Sequence, residues 1–231
     1  MLIKGIQEDS LLDYPGKISE VIFLFGCNFS CHNCHNPGLV LEQDDDSLNK
    51  ETLMDYLKKR KNQALSPDGV CITGGEPTIN KDLPEFISKI RDLGYLIKLD
   101  TNGTNPKMIK QLLEKKLLDY VAMDIKAPFE RYEEVVNAKV NLEDIKESIN
   151  LVKSMKDYEF RTTVIPDLTK KDIIEMTDLI KGARAYYLQQ FQAEKCLDKE
   201  YEKKKPHSKG SLEEIREEIK DNFKICEVRG I

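Results

Sequence analysis

Short runs of β-branched and aromatic residues alternate with segments of helical period along most of the chain. In one such helical segment Leu83, Phe86, Ile87 and Ile90 share a face, and Gly94 marks the helix end. The strand-like runs, each followed by a helical segment, are EVIFLF, GVCIT, YLIKLD, YVAMDIKAP, EFRTTVIP and AYYLQQFQ. Six strand–helix units in succession predict a parallel sheet covered by helices, with right-handed crossovers.

The length of 231 residues limits how many strand–helix units the sheet can contain. A full eight-unit barrel usually takes about 250 residues or more, so we expect an α/β fold that forms a partial (β/α)6 TIM-like barrel. A doubly wound sheet is the alternative. We predict one domain over 1–231, with an N-terminal extension 1–20, a charged loop 195–210, and a C-terminal helix and tail 211–231.

Composition bears on the class of protein and on its partners. Apolar residues make up 40% and charged residues 33%, with a mean hydropathy of −0.50, which is typical of a globular chain. No apolar run approaches the roughly 20 residues that span a bilayer, and no signal-peptide pattern opens the chain. The net charge of −5 comes without a basic stripe. We therefore expect a cytoplasmic protein with neither a membrane nor a nucleic-acid partner.

Three of the six cysteines lie in the loop GCNFSCHNCHNP, at Cys27, Cys31 and Cys34. Without a secretory signal, such grouping favours metal binding over disulfides. Spacers of three and two residues let three sulfurs point into one small volume, as three corners of an iron–sulfur cube require. One iron would keep an open position for a small molecule. His32 or His35 could instead complete a Cys3His zinc site, so zinc is the alternative.

The other three cysteines lie far apart in sequence, and we expect small buried apolar residues at Cys71, Cys196 and Cys226. Polar and glycine-rich motifs follow the predicted strands: TGGEP, DTNGT, DIKAP and LQQFQ, with Arg161 inside the fifth run. Each motif alone is typical of a turn. Because the carboxyl ends of parallel strands meet at one edge of a sheet, the motifs together predict a ligand site there.

The C-x-x-x-C-x-x-C loop after the first strand and GGEP after the second resemble the radical S-adenosylmethionine (SAM) superfamily. The stretch LLDYPGKISEVIFLFGCNFSCHNCHNP is most similar to glycyl-radical-enzyme activating proteins, in particular those of anaerobic ribonucleoside-triphosphate reductases. The resemblance implies that Cys27, Cys31 and Cys34 hold a [4Fe-4S] cluster. SAM would chelate its fourth iron through amino and carboxylate groups.

The same resemblance implies SAM contacts at the ends of the second and third strands. Gly74, Gly75 and Glu76 would receive the methionine end, with Glu76 accepting from its ammonium group. Asp100 and Asn102 are two positions apart on an extended segment, which suits them to the ribose hydroxyls.

Later strands would supply the remaining contacts. Asp124 and Lys126 share a face, and Lys126 could pair with the SAM carboxylate. Arg161 would add a donor, with a surface ion pair as the alternative, and Gln190 would lie at the mouth. Asn33 occupies a position that is commonly aromatic in the superfamily and packs beside the adenine. Its backbone could reach the adenine edge, and Phe29 or His35 could supply the stacking face instead.

The resemblance further implies the chemistry. An external one-electron donor such as flavodoxin or ferredoxin would drive cleavage of SAM to methionine and a 5′-deoxyadenosyl radical. In activating proteins that radical takes hydrogen from a glycine Cα of a large partner enzyme, and no catalytic side chain is expected. The alternatives are activation of a pyruvate formate-lyase type enzyme, radical chemistry on a small molecule, and a non-catalytic zinc or electron-transfer module.

Overall fold

The computed structural model describes residues 1–41 and 47–231, and within them the chain has an α/β fold. Strands and helices alternate from β2 onward, as the sequence predicts. The acidic stretch 42–46 lies outside the described residues. The strands are β1 (Ile3–Ser10), β2 (Ser19–Leu24), β3 (Gly69–Gly74), β4 (Leu96–Thr101), β5 (Tyr120–Asp124), β6 (Tyr158–Val164), β7 (Ala185–Gln190) and β8 (Ile225–Arg229).

The sheet is mostly parallel, and its strand order is the order of the sequence. Strand β1 pairs antiparallel with β2, whereas β2–β3, β3–β4, β6–β7 and β7–β8 are parallel pairs. The prediction of an α/β chain with parallel strands is confirmed. Six strands were predicted, and the described chain adds β1 and β8. Only Ile3 and Ser10 are buried in β1, so this strand lacks the apolar run that identifies an interior strand.

Helices connect most successive strands, and several of them are capped by nearby side chains. Gly94 ends a helix at φ +88°, as predicted, and Asn141 caps another by accepting from the backbone N–H of Glu143. Ser208 caps the last helix by accepting from the backbone N–H of Ser211. The helices are α1 (Gly38–Leu41), α2 (Lys50–Lys61), α3 (Leu83–Asp92), α4 (Pro106–Glu114), α5 (Tyr132–Val136), α6 (Leu142–Lys153), α7 (Lys170–Ile180) and α8 (Lys209–Ile219).

The chain forms two compact units. The first comprises Met1–Asn28, Gly38–Thr101 and Lys107–Val121. The second comprises Phe29–Pro37, Asn102–Pro106 and Ala122–Ile231. The single domain expected from the chain length stays a prediction.

Each unit has its own buried apolar residues. In the first, Ile22, Leu24 and Ile72 are inaccessible to solvent, and in the second the same holds for Phe160 and Leu188. Burial of such side chains from the strands is the main favourable contribution to folding. Across the described ranges 1–41 and 47–231, every helix is too short or too polar to span a bilayer.

Candidate functional site

The turn at the carboxyl end of β3 belongs to the first unit. Gly74 has φ +132°, and a Cβ there would lie 2.2 Å from the carbonyl oxygen of Leu24. A Cβ on Gly75 would lie 2.0 Å from the carbonyl oxygen of Gly26. The backbone N–H of Gly75 donates to Leu24 at 2.9 Å, and that of Glu76 donates to Gly26 at 2.8 Å. Both glycines are therefore required by close packing of the turn against the chain that leads into Cys27.

Glu76 is fully buried beside this turn. Its Oε1 accepts from the backbone N–H of Thr78 at 3.1 Å, from Thr78 Oγ1 at 2.5 Å and from Thr101 Oγ1 at 2.7 Å. These bonds let one carboxylate join the residues after β3 to the end of β4. Neither threonine was singled out from the sequence. The contact of Glu76 with the methionine end of SAM stays a prediction.

Asp100 lies at the end of β4 in the first unit, paired with a buried lysine. Lys98 is 1% exposed, and its Nζ contacts both the Asp100 carboxylate and Cys71 Sγ. The Sγ of Cys71 lies 3.8 Å from Asp100 Oδ1. Sequence reasoning missed Lys98, because a lone lysine within a strand is usually solvent-exposed. The expected burial of Cys71 is confirmed.

Asn102 belongs to the second unit and is buried. Its side-chain oxygen accepts from the backbone N–H of Thr104 at 3.0 Å and from Thr104 Oγ1 at 2.7 Å. This arrangement is a turn closed by the asparagine side chain. The ribose contacts of Asp100 and Asn102 stay predictions.

Cys27 lies in the first unit, and Cys31 and Cys34 lie in the second. The backbone N–H of Cys34 donates to the carbonyl of Cys31 at 3.0 Å, which closes a tight turn between the two thiols. Burial raises the pKa of the Cys31 thiol to about 11, the charge of Lys126 lowers it, and Cys34 raises it. A Cys31 thiol that feels the charge of Lys126, with Cys34 in the same turn, suits an anionic iron–sulfur group, because metal ions replace the thiol protons and the cation offsets the charge.

Asp124, Lys126 and Arg161 form a charged cluster in the second unit. Lys126 Nζ lies 2.8 Å from Asp124 Oδ2, and Arg161 Nε lies 2.8 Å from Asp124 Oδ1. Burial raises the pKa of Asp124, yet the charges of Arg161 and Lys126 outweigh burial and hold that pKa below its usual range. Asp124 in turn holds the pKa of Lys126 above its usual range. With Asp124 ionised the cluster carries one net positive charge, which suits a carboxylate ligand.

The last two predicted contacts also lie in the second unit. Gln190 donates to the carbonyls of Phe191 at 3.3 Å and His207 at 3.2 Å. Its Oε1 is buried and has no hydrogen-bond partner in the described part of the chain. Asn33 is partly buried between His32 and Cys34. The roles of Gln190 and Asn33 toward SAM stay predictions.

Both histidines that could have completed a zinc site contact other groups. His32 Nδ1 lies 3.1 Å from Asp198 Oδ2, and His35 Nε2 lies 2.9 Å from the carbonyl of Gln192. Within ranges 1–41 and 47–231, no three side chains of His, Cys, Asp or Glu are grouped to hold a single metal ion. A cuboidal cluster needs no such group, because its thiolates bind different irons.

Comparisons with known proteins place the chain among its relatives. The family model of the radical SAM superfamily matches residues 21–180. A candidate glycyl-radical enzyme activating enzyme of Methanocaldococcus jannaschii is 36% identical over 239 residues, covering 99% of this chain and 97% of the relative.

Two solved structures share the fold. The crystal structure of Streptococcus suis SuiB bound to S-adenosylmethionine has a TM-score of 0.70 at 15% identity, covering 91% of this chain and 50% of SuiB. The chain therefore spans about half the length of SuiB. A domain of the pyruvate-formate lyase-activating enzyme from Bacteroides vulgatus has a TM-score of 0.56 at 16% identity, covering 70% of this chain and 99% of that domain.

Proposed function

The chain belongs to the radical SAM superfamily, and from this premise we propose that it is an activating enzyme that generates a glycyl radical on a partner enzyme. The 36% identity to a candidate activating enzyme, over nearly the full length of both chains, is the observation that carries the proposal. The thiol-rich loop beside a cationic cluster in the second unit supports it chemically.

In this proposal Cys27, Cys31 and Cys34 bind three irons of a [4Fe-4S] cluster. When bound, the cluster and SAM together supply the one-electron cleavage of the sulfonium C–S bond that yields methionine and a 5′-deoxyadenosyl radical. The chain's own side chains contribute charge and orientation. Lys126, kept protonated by Asp124, offsets negative charge at Cys31.

The SAM site combines the predicted contacts. Glu76 accepts from the ammonium group, Lys126 and Arg161 attract the carboxylate, and Asp100 and Asn102 bind the ribose hydroxyls. The backbone of Asn33 meets the adenine edge, and Gln190 lies at the mouth with a buried oxygen that can accept a hydrogen bond. Gly74 and Gly75 shape the turn that presents Glu76.

The partner we propose is a large anaerobic ribonucleoside-triphosphate reductase, with flavodoxin or ferredoxin as the electron donor. The similarity of LLDYPGKISEVIFLFGCNFSCHNCHNP to activators of that reductase supports this choice. A cytoplasmic location belongs to the same proposal, since free thiols and a reducing donor are typical of that compartment. The alternative substrates are another glycyl-radical enzyme of the pyruvate formate-lyase type and a small molecule.

The test is anaerobic reconstitution with iron and sulfide, followed by EPR with SAM, dithionite and a candidate reductase. We expect a reduced-cluster signal, cleavage of SAM, and a glycyl doublet on the partner. SAM cleavage without the doublet would move the proposal to a different substrate. Colourless protein that retains zinc and takes up no sulfide would overturn it.

A matched pair of cysteine variants checks the ligand assignment. Cys34→Ala should abolish the cluster signal, because only two thiolates of the motif would be left to bind it. Cys226→Ala removes a thiol of the second unit that lies on β8, outside the motif. It should leave iron content, sulfide content and SAM cleavage unchanged.

A further inference from the structure

Residues 192–201, here called segment 192–201, run alongside part of the cysteine loop within the second unit. The backbone N–H of Leu197 donates to the carbonyl of Cys34 at 2.9 Å. The N–H of Asp198 donates to the carbonyl of His32 at 3.0 Å. Two consecutive backbone N–H groups of the segment therefore bind two carbonyls of the loop.

Side-chain contacts add to these backbone bonds at His32. Its Nδ1 lies 3.1 Å from Asp198 Oδ2, so one residue of segment 192–201 binds His32 through both backbone and carboxylate. The imidazole also stacks on Tyr201, with ring centroids 5.5 Å apart and planes within 7°. Tyr201 is itself buried and has the Nζ of Lys204 3.8 Å from its ring centroid.

A second contact holds the far end of the loop. His35 Nε2 lies 2.9 Å from the carbonyl of Gln192, which requires the imidazole to donate there. Its ring stacks on Phe191 at 5.9 Å, and Phe191 is inaccessible to solvent. His32 and His35, on either side of Asn33 and Cys34, therefore both hydrogen-bond to residues that follow β7.

Segment 192–201 is held in shape by a hydrogen bond within it and by one to Glu202, which follows it. Asp198 Oδ1 accepts from the backbone N–H of Glu200 at 2.9 Å, while its Oδ2 faces His32. The N–H of Cys196 donates to Glu202 Oε1 at 3.1 Å, and Cys196 is fully buried. The carboxylate of Asp198 therefore contacts both the backbone of its own segment and the side chain of His32 in the cysteine loop.

We propose that segment 192–201 fixes the part of the cysteine loop that carries Cys31 and Cys34, and that Asp198 is a positioning residue acting on the cluster through His32. The inference rests on the proposed function, because it concerns the cluster of that site. Groups that orient metal ligands without touching the metal contribute strongly to metal retention, since they hold the ligands in the binding geometry.

The test compares Asp198→Ala with Glu200→Ala in the reconstituted protein. Both changes remove one carboxylate from the same segment, but Glu200 is 70% exposed and pairs with Lys203 rather than with the loop. We expect D198A to assemble the cluster and then lose iron to a chelator at least about 10-fold faster than the wild type. E200A should lose iron at the wild-type rate.

Two further readouts separate positioning from general destabilisation. The EPR signal of the reduced cluster, with and without SAM, should change in D198A and stay unchanged in E200A. Asp198→Asn should restore the wild-type signal, because its amide can accept from Glu200 and donate to His32. If D198A fails to fold, His32→Phe keeps the ring stacked on Tyr201 while removing the bond to Asp198, and the same changes in EPR signal and iron loss are expected.

The outcomes of the two proposals are distinguishable. Wild-type protein that assembles no cluster contradicts the proposed function. Wild-type protein that assembles one, together with D198A and H32F variants that match it in iron loss and EPR signal, contradicts the role of segment 192–201. A D198A/H32F double variant should be no worse than the poorer single variant, because both changes break one connection.

Discussion

The turn at residues 74–76 and the cluster of Asp124, Lys126 and Arg161 are held together by different forces. In the turn, backbone atoms approach so closely that a single Cβ would overlap a carbonyl oxygen. In the cluster, three charged side chains meet at hydrogen-bonding distance and remain partly exposed. The turn therefore depends on the lack of a Cβ at Gly74 and Gly75, whereas the cluster depends on the charges of its side chains.

This difference teaches how each region should respond to mutation. Closely packed backbone at Gly74 and Gly75 tolerates no added atom. A charged cluster tolerates changes of shape but depends on protonation, because its attraction disappears when one partner is neutralised. The three predictions below test the contrast, from the largest expected effect to the smallest.

Gly75→Ala should be the most damaging of these substitutions. Its Cβ would lie 2.0 Å from the Gly26 carbonyl oxygen, and neither backbone segment can move without disturbing the bonds after β2 and β3. We expect a loss of about 3 kcal/mol or more in the free energy of unfolding, measured by urea titration.

Gly5→Ala is the matched control for this substitution. Gly5 lies in β1 of the same unit, and a Cβ there would meet nothing within 4 Å. Its effect should stay within about 0.5 kcal/mol. Equal unfolding midpoints for the two variants would show that the turn is not held by backbone contact.

Glu76→Ala should cost about 1–3 kcal/mol, because the buried hydroxyls of Thr78 and Thr101 would lose a shared acceptor. Glu76→Gln keeps an oxygen in that place and should retain most of the stability. The same variant removes the negative charge, so anaerobic equilibrium dialysis should show weaker SAM binding. If E76Q bound SAM with wild-type affinity, Glu76 would have a structural role only, and its proposed contact with SAM would be wrong.

Asp124→Asn should cost about 1–2 kcal/mol at pH 7, because Arg161 and Lys126 would lose their shared anion. The folded-state pKa of Asp124 lies below its ordinary value of 3.8, so its stabilisation is complete above that value and is lost as the pH falls below it. The difference between wild type and variant should accordingly shrink below about pH 4, as followed by thermal unfolding.

Asp157→Asn provides the control for the charged cluster. Asp157 pairs with Arg184 in the same unit, and both side chains are 40% exposed. Solvent screens such a pair, so the expected loss is about 0–0.5 kcal/mol. A cost for D124N no larger than that of D157N would show that the cluster behaves as an ordinary surface ion pair.

Much of the fold was predictable because it depends on local patterns. The apolar run of β3 and the face formed by Leu83, Phe86 and Ile90 correspond to a buried strand and a buried helix face. Strand β8 was not predicted, because its five residues alternate without an apolar run and only Cys226 is buried. Such edge strands form by pairing with a neighbour, which the sequence does not display.

The site was predictable in its residue types but not in its contacts. Nothing in QAEKCLDKEY, at residues 192–201, marks it as the segment that binds the cysteine loop. Lys98 and Thr101 were missed because Lys98 contacts Cys71 on β3 and Thr101 donates to Glu76 after β3, and the sequence displays neither contact.

By itself, the sequence determined the α/β class and the three thiols of the cysteine loop. Hydrophobic period and ligand spacing act over a few residues and can be read directly from the chain. Only the tertiary structure decided that Gly75 is required by the Gly26 carbonyl, that Asp124 joins Lys126 to Arg161, and that Asp198 reaches His32. Apart from Asp124–Lys126, these contacts connect residues 37 to 166 positions apart, and their energies depend on distance, burial and charge, which only folding determines.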